Sequence, residues 1–567
     1  MFTSQASNSD NTIDSKKTNR KTSHLRKIFS REIHLNYLIV IIALYLVATA
    51  NIGFFAQVLS IYPFITNTGF IISIAALLFG LMWLLCQLLC YRVIAKPALI
   101  TLVLIAAVCG YFTDAYGTIF DTNMLINSMQ TDQAEAMGLM SISFFIRVLL
   151  LGIIPAVIIS KLTIKRPLLR QALWQRALTL ILAVALIAVC LLPFGDQYAT
   201  FFRQHKMVRS YANPITPIYS VIKLGADYIN ELRRPDTMIL HATDAKRHTA
   251  VNATTKPKLM VFVVGETVRA DHINLNGYQR DTMPLLARQP DIYSFKNAAS
   301  CGTSTAYSVP CMFSYANKDN YDPDTADYHE NVLDTLNKQG VNVIWRDNNS
   351  SAKGVADRVT FEDYKTSKNN PNCEDEGECR DIGMLNGFNK MVQSNTPAKD
   401  TLILLHQMGN HGPAYYKRYP KTFEAFKPVC MTNELSKCDN QSVINGYDNA
   451  IRYTDYFLYN VISTLKTYES DYDVVMVYIS DHGESLGEKN IYLHGLPYSI
   501  APDAQKQVPV IIWSPKGNGI DNTSLLNMTD QPVSHDFITP TLLQFFGITT
   551  DEVSAAPTFF KSVRSDR

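Results

Sequence analysis

Residues 258–272 read KLMVFVVGETVRADH, a run of apolar residues rich in valine that stops at a glycine and opens into acid, hydroxyl and basic side chains. Six apolar residues in a row, Leu259 to Val264, have the length and composition of a strand buried on both faces, and the polar cluster lies at its carboxyl end. The same rhythm returns three times. Asn342 to Trp345 runs into RDNNSSAK, Thr401 to Leu405 into HQMGNHGP, and Val474 to Ile479 into SDHGES. Helical stretches such as HENVLDTLNKQG and YDNAIRYTDYFLYNVISTLKTY separate them. Alternation of buried strand and helix predicts a parallel α/β sheet with helices on both faces. In such sheets ligands gather beyond the carboxyl ends of the strands, which is where these polar clusters fall.

Upstream of this domain the character changes. Apolar runs at Tyr37–Val58, Phe70–Leu89, Ala98–Tyr116, Phe144–Ile159 and Ala177–Phe194 each approach the ~20 residues that a membrane-spanning helix requires. Five crossings are predicted. Lys16, Lys17, Arg20, Lys21, Arg26, Lys27 and Arg31 precede the first, and Arg92, Lys96, Lys161, Lys165, Arg166 and Arg170 occupy the second and fourth loops. The first loop (YPFITNTG) and the third (117–143) hold no Lys or Arg. The positive-inside rule therefore puts the N-terminus in the cytoplasm and everything after Phe194 outside. The first run lies too far into the chain, and is too long, for a cleaved signal peptide. The expected organisation is a disordered cytoplasmic tail (1–34), a transmembrane domain of five helices (35–194), a bridging segment at the membrane surface (195–256) and a periplasmic catalytic domain (257–567). Arg203, Lys206 and Arg209 suit the bridge to a lipid surface.

The chain has 567 residues, 47% of them hydrophobic, and a formal net charge of +2, a balance that points to no nucleic-acid partner. Cys86, Cys90, Cys109 and Cys190 fall in the apolar runs, whereas Cys301, Cys311, Cys373, Cys379, Cys430 and Cys438 form three close pairs in the polar part. Such pairs fit short-loop disulfides in an oxidising compartment, the side to which the charge pattern independently assigns them. A zinc role for these six is weaker, because no pair has C-x-x-C spacing.

The strand ends supply Glu266, then Asp481 and His482, with His411 and His494 on nearby loops. Two carboxylates and an imidazole make a site suited to Zn²⁺ with a fourth position open, at which a hydroxyl would ionise near neutral pH. SCGTSTAYSVPC, residues 300–311, offers that hydroxyl between two thiols. A threonine starting a helix there would bring free backbone amides to a phosphoryl group, and a bridge between the thiols would hold the turn. Most serines and threonines in such a cluster form turns and caps, the role assigned to Ser300 and Ser308. His406, directly after an apolar strand, reads as structural; His272 and His535 fit either role. The chemistry leaves the choice among Thr303, Ser304 and Thr305 open.

The runs VGETVRADHINLNGYQRDTMP, SCGTSTAYSVPCMFS, RDNNSSAKGV, HQMGNHGPAYYKRYP and SDHGESLGEKNIYLHGLPYSIAP together resemble the phosphoethanolamine-lipid A transferases, nearest to the mobile colistin-resistance branch. The resemblance extends into the membrane part at GYFTDAYGTIFDTNMLINSMQTDQAE. It implies five spans and a periplasmic domain of the alkaline phosphatase and sulfatase-like fold. It implies Zn²⁺ on Glu266, Thr305, Asp481 and His482, with Thr305 the nucleophile. His411 and His494 match positions that serve a second zinc or the acid and base steps. Thr303, Tyr307, Asn349, Ser350, Lys353 and Glu484 match residues lining the phosphoethanolamine pocket, and Asn127, Thr131 and Glu135 match positions implicated in head-group binding. The implied disulfides are Cys301 with Cys311, Cys373 with Cys379, and Cys430 with Cys438. Val268 and Lys489 depart from the usual pattern without removing a ligand.

The function so implied is zinc-dependent transfer of phosphoethanolamine from phosphatidylethanolamine to a lipid A phosphate, through a phosphothreonine-type intermediate, by a monomer of the bacterial inner membrane. The product would carry less net negative charge and so resist polymyxins, colistin and other cationic peptides. A sulfatase is disfavoured, since no C/S-x-P-x-R motif occurs, and a non-enzymatic sensor would be expected to have lost its ligands.

Overall fold

The computed structural model describes residues 32–561 except 92, 132, 166, 232–236, 249–255, 374–377 and 394–397, and leaves further side chains, those of Glu135, Arg203 and Lys206 among them, outside the description. Residues 1–31 of the expected tail, Arg92, Arg166 and those three side chains therefore lie outside the described residues, whereas Glu32–Ile33, expected within the disordered tail, pair as a short strand with Thr163–Ile164. The chain divides into two compact units, one of residues 1–114 and 142–219, the other of 115–141 and 220–567.

Among the described residues four helices are long and apolar enough to cross a membrane, Phe64–Leu89, Ala95–Tyr116, Ile142–Lys161 and Leu169–Phe202, and a bent pair, Leu35–Ala50 with Ile52–Ile61, makes up to five. The first predicted span is thus broken, by 63° at Asn51. Polar side chains occupy the break, as an interrupted helix in an apolar bundle requires. Asn51 Nδ2 donates to Leu46 O and Asn213 O at 3.0 and 2.8 Å. Asp114 accepts from Gly53 N and from Arg147, both at 2.6 Å.

The second unit is built on an eight-stranded sheet. Its strands are β1 (Lys258–Gly265), β2 (Ile292–Ala299), β3 (Asn342–Asp347), β4 (Thr360–Asp363), β5 (Thr401–His406), β6 (Asp473–Ser480), β7 (Gln507–Trp513) and β8 (Val533–Ser534), in spatial order β8-β2-β7-β6-β1-β5-β3-β4. Three helices matter to the site: α1 (Thr122–Gln130), α2 (Thr305–Met312) and α3 (Asn440–Lys466). Strands β6, β1, β5, β3 and β4 pair in parallel, as the alternation predicts. β7 runs antiparallel to both its neighbours, a correction to the all-parallel expectation. A parallel return needs a crossover, usually helical, whereas residues 481–506 form only short strands and 3₁₀ turns and bring the chain back from the same end of the sheet.

Both faces of the central strands are buried, which explains their unbroken apolar runs. Met260, Phe262 and Val264 of β1 join Leu402, Leu404, Val475, Val477 and Ile479 in one core with Phe313 and Trp345. Leu259, Val261 and Val263 are equally buried on the other face. Burying such side chains contributes about 1.5–3 kcal/mol each, and it holds the strand ends level. Gly265 pairs with Ser480 and Val264 with His406, so Glu266, Asp481 and Gln407 leave the sheet side by side.

Candidate active site

Glu266 leaves β1 after Gly265, where a Cβ would stand 2.5 Å from the buried Tyr478 ring; only glycine lets the two strand ends close. Thr267 follows at φ 55°, a costly left-handed turn for a β-branched residue. Asp481 N donates to Gly265 O at 2.9 Å, and Asp481 Oδ1 accepts from His482 N and Thr267 N at 2.8 and 3.2 Å. Oδ2 of the same carboxylate is buried and accepts no hydrogen bond.

His482 Nδ1 donates to Gly483 O at 2.9 Å, which fixes the tautomer and leaves Nε2 as a bare lone pair. That nitrogen lies 3.5 Å from Glu266 Oε1, 3.4 Å from Asp481 Oδ2 and 3.3 Å from Thr305 Oγ1. Burial pushes the His482 imidazole down to about 4, so at neutral pH it is an acceptor facing two carboxylate oxygens. Two buried carboxylates and an imidazole converging in this way form a donor set that a divalent cation fits, and Glu266, Asp481 and His482 are the one such group among the described residues.

The fenced hydroxyl stretch meets this group from the side. Ser304 is the N-cap of α2 in extended conformation and Thr305 is the first helical residue. Thr305 Oγ1 donates to Glu266 Oε2 at 3.0 Å, so of the three candidates left open by the chemistry it is Thr305 that reaches the acids. Thr303 Oγ1 donates to Leu496 O at 2.6 Å, while Gly495 N donates to Thr303 O at 2.7 Å, a clasp on the segment that carries His494. Ser300 and Ser308 bond to Gly302 O and Gly302 N, as turn formers do. Tyr307 packs edge-on against Tyr321 beside the Cys301–Cys311 pair. All three short-loop disulfides are present: Cys301–Cys311, Cys373–Cys379 and Cys430–Cys438.

Further groups complete the pocket. Asn349 Nδ2 donates to Glu266 Oε2 and to Gln407 O, both at 2.7 Å, and so tethers the acid to the end of β5. The His494 ring lies 4.3 Å from that of His482 and 5.7 Å from that of His411, and His494 Nδ1 is 3.3 Å from Glu484 Oε1. Burial pushes the Glu484 carboxyl up to about 8. Asn349, Ser350 and His411 face a cavity of about 350 Å³, which Met137, Gly138 and Asn433 also line. Lys353 Nζ donates to Gln130 O at 3.3 Å. Asn127 is buried on α1, which lies against α2, and its carbonyl accepts from Thr131 Oγ1 at 2.8 Å.

Two further residues hold the site in place, and one of them, Asp381, carries no mark in the sequence. Asp381 is buried and accepts from Asn348 Nδ2, Met408 N, Gly409 N and Gln407 Nε2, joining the loops after β3 and β5. His535, open to either role by sequence, accepts from Cys301 N at Nδ1 and donates from Nε2 to Ser480 O, each at 3.0 Å. It thereby ties the start of the hydroxyl stretch to the strand that delivers Asp481. His406 bonds to Asp347 at 2.9 Å and His272 to Asp448 at 2.8 Å, both away from the acids.

A layered sheet with acids and an imidazole at its carboxyl end, facing a hydroxyl at a helix start, defines a sulfatase-like group-transfer domain, and the sulfatase family profile matches residues 258–548. A second profile, for the phosphoethanolamine transferases EptA/EptB, matches residues 78–229. The chain is 50% identical over 527 residues to the phosphatidylethanolamine transferase Mcr-2 of Escherichia coli, covering 92% of this chain and 96% of that one. To Mcr-1, also of Escherichia coli, it is 48% identical over 544 residues, covering 95% and 99%. The integral membrane protein lipooligosaccharide phosphoethanolamine transferase A (EptA) from Neisseria meningitidis superposes with a TM-score of 0.87 at 32% identity, covering 92% of this chain and 97% of that chain. The chain belongs to the phosphoethanolamine transferase family.

Proposed function

We propose that this chain transfers phosphoethanolamine from phosphatidylethanolamine to a phosphate of lipid A through a covalent intermediate on Thr305, and thereby lowers the affinity of the envelope for colistin and other polymyxins. The observation that carries the reading is the approach of Thr305 Oγ1 to Glu266 Oε2 and His482 Nε2 at the end of the sheet.

Glu266, Asp481, His482 and Thr305 Oγ1 would hold one Zn²⁺, which when bound supplies Lewis acidity toward the threonine hydroxyl and the phosphoryl oxygens. Glu266 Oε2 takes the hydrogen bond of the Thr305 hydroxyl and so orients Oγ1 for attack on phosphorus. As the Oγ1–P bond forms, the hydroxyl proton of Thr305 passes to Glu266 Oε2, the P–O bond to diacylglycerol breaks, and His411 or His494 protonates the leaving oxygen. The amides at the start of α2 lie next to the nucleophile and donate to the phosphoryl oxygens as charge builds on them. In the second half-reaction an anionic oxygen of lipid A attacks the same phosphorus and Thr305 departs. Thr303, Tyr307, Asn349, Ser350, Lys353 and Glu484, with Asn127, Thr131 and Glu135, are assigned to binding the donor's head group; in the alternative role of His411 and His494 the pair would hold a second zinc instead of moving the proton.

The charge pattern of the loops supports an inner-membrane protein with a cytoplasmic N-terminus and a periplasmic catalytic domain at 257–567, after a tail (1–34), five spans (35–194) and a surface bridge (195–256). A monomer suffices, since each functional group named lies on one chain. Mass spectrometry of lipid A from a susceptible Gram-negative host expressing the chain tests the reading. A phosphoethanolamine increment with the parent and none with Thr305→Ala is expected; no increment from a well-expressed, zinc-loaded parent would overturn it.

A further inference from the structure

We propose that Asn433, on the loop closed by Cys430 and Cys438, is a positioning residue that fastens segment 115–141 beside α2 and so sets how tightly the enzyme holds its donor. The inference rests on the transferase reading above and assigns that site a component outside its catalytic groups.

Segment 115–141 holds no Lys or Arg, so it has no cationic side chain with which to grip the acids around it. Its middle is placed by packing. α1 lies against α2, Met124 Sδ stands 3.1 Å from where a Cβ on Gly495 would be, and Lys353 Nζ donates to the carbonyl of Gln130 at 3.3 Å. Both ends come to one residue. The Tyr116 hydroxyl donates to Asn433 O at 3.2 Å, and Asn433 Nδ2 donates to Gly138 O.

The loop that presents Asn433 is built to keep it still. The disulfide closes it over a sequence separation of eight. Glu434 N donates to Thr432 Oγ1 at 3.2 Å, a 3₁₀ turn follows at Leu435–Lys437, Cys430 N donates to Ser442 O at 3.1 Å, and Asp439 caps α3 directly after Cys438. A free loop of this length would sample many conformations, and closing it removes that freedom. A side chain so fixed can hold a neighbouring segment at little further entropic cost.

The consequence for binding follows from what the fastened end forms. Met137 and Gly138 wall the cavity that Asn349, Ser350 and His411 face, and Asn433 lies on the same wall. Releasing Gly138 opens that wall and leaves the acids, imidazoles and Thr305 where they are. Loss of binding shared equally by ground and transition states raises KM and spares kcat.

The test uses the full-length chain in detergent micelles with a phosphatidylethanolamine carrying a fluorescent acyl chain, and follows release of fluorescent diacylglycerol. Asn433→Ala is expected to raise KM for the donor up to about tenfold, the upper end of the effect of one part-buried hydrogen bond, with kcat within about twofold of the parent and bound zinc unchanged. Tyr116→Phe removes the bond from the segment's side, leaves the disulfide loop intact and is expected to raise KM in the same direction by a few-fold. If Asn433→Ala fails to fold, Tyr116→Phe decides. Parental KM in Tyr116→Phe and in any folded Asn433→Ala, or a loss of kcat at unchanged KM, would overturn the inference. A parent that releases no diacylglycerol would refute the transferase reading, and the inference with it.

Discussion

His535 joins two parts of the site through one neutral imidazole, and its replacement has effects that can be worked from two hydrogen bonds. Nδ1 accepts from Cys301 N and Nε2 donates to Ser480 O, both groups being buried. His535→Ala leaves each without a partner, at about 1–3 kcal/mol apiece, for a total loss of about 2–6 kcal/mol. The two conservative variants divide this. His535→Asn keeps an acceptor near Nδ1, whereas His535→Gln keeps a donor near Nε2, so each should lose about half. His535→Gln frees the start of the hydroxyl stretch and is expected to lower kcat; His535→Asn frees Ser480 O beside Asp481 and is expected to weaken metal binding instead. Acid stability gives a second readout. Burial holds the His535 imidazole at about 4 against an ordinary 6.5. The unfolded chain then binds a proton that the folded chain refuses, so stability is complete above about pH 6.5 and falls as the pH drops toward about 4. At ~1.4 kcal/mol per pH unit the loss amounts to at most ~3.5 kcal/mol. Tryptophan fluorescence against pH and temperature on the full chain should show a flatter acid limb in His535→Asn. Equal acid limbs, or parental kcat in His535→Gln, would refute the reasoning.

Asn349→Ala removes the donor shared by Glu266 Oε2 and Gln407 O, and by loosening the acid it should cut zinc affinity about 10- to 100-fold in a chelator competition; unchanged affinity would show that Glu266 needs no tether. Gly265→Ala drives a methyl group to within 2.5 Å of the buried Tyr478 ring and should cost about 1–3 kcal/mol, read as a lower thermal midpoint. An unchanged midpoint would mean that the strand ends are not close-packed there.

The sheet is legible because its central strands are buried on both faces, so that LMVFVV and VVMVYI stand out unbroken and their polar sequels mark the site. The reversal of β7 is not legible, because QVPVIIW would look the same in either direction and only the missing crossover helix reveals it. Nor is the break at Asn51, which lies in an apolar run long enough to span and is held by Asn213, more than 150 positions away. Glu266, Asp481 and His482 announce themselves by following strands. The choice of Thr305 over its neighbours depends on where α2 begins, a matter of one residue that composition does not fix. Asp381, Asn433 and His535 act through partners distant in sequence, and a single polar residue in an ordinary context carries no mark of such pairing.

The central claim is that Thr305 carries the phosphoethanolamine group between two lipids. The most direct measurement is peptide mass spectrometry of the zinc-loaded chain after incubation with phosphatidylethanolamine in the absence of lipid A. The account predicts a phosphoethanolamine adduct on the peptide containing Thr305, absent from Thr305→Ala and discharged when lipid A is added. Transfer to lipid A that persists in Thr305→Ala, with no adduct on the parent, would contradict it.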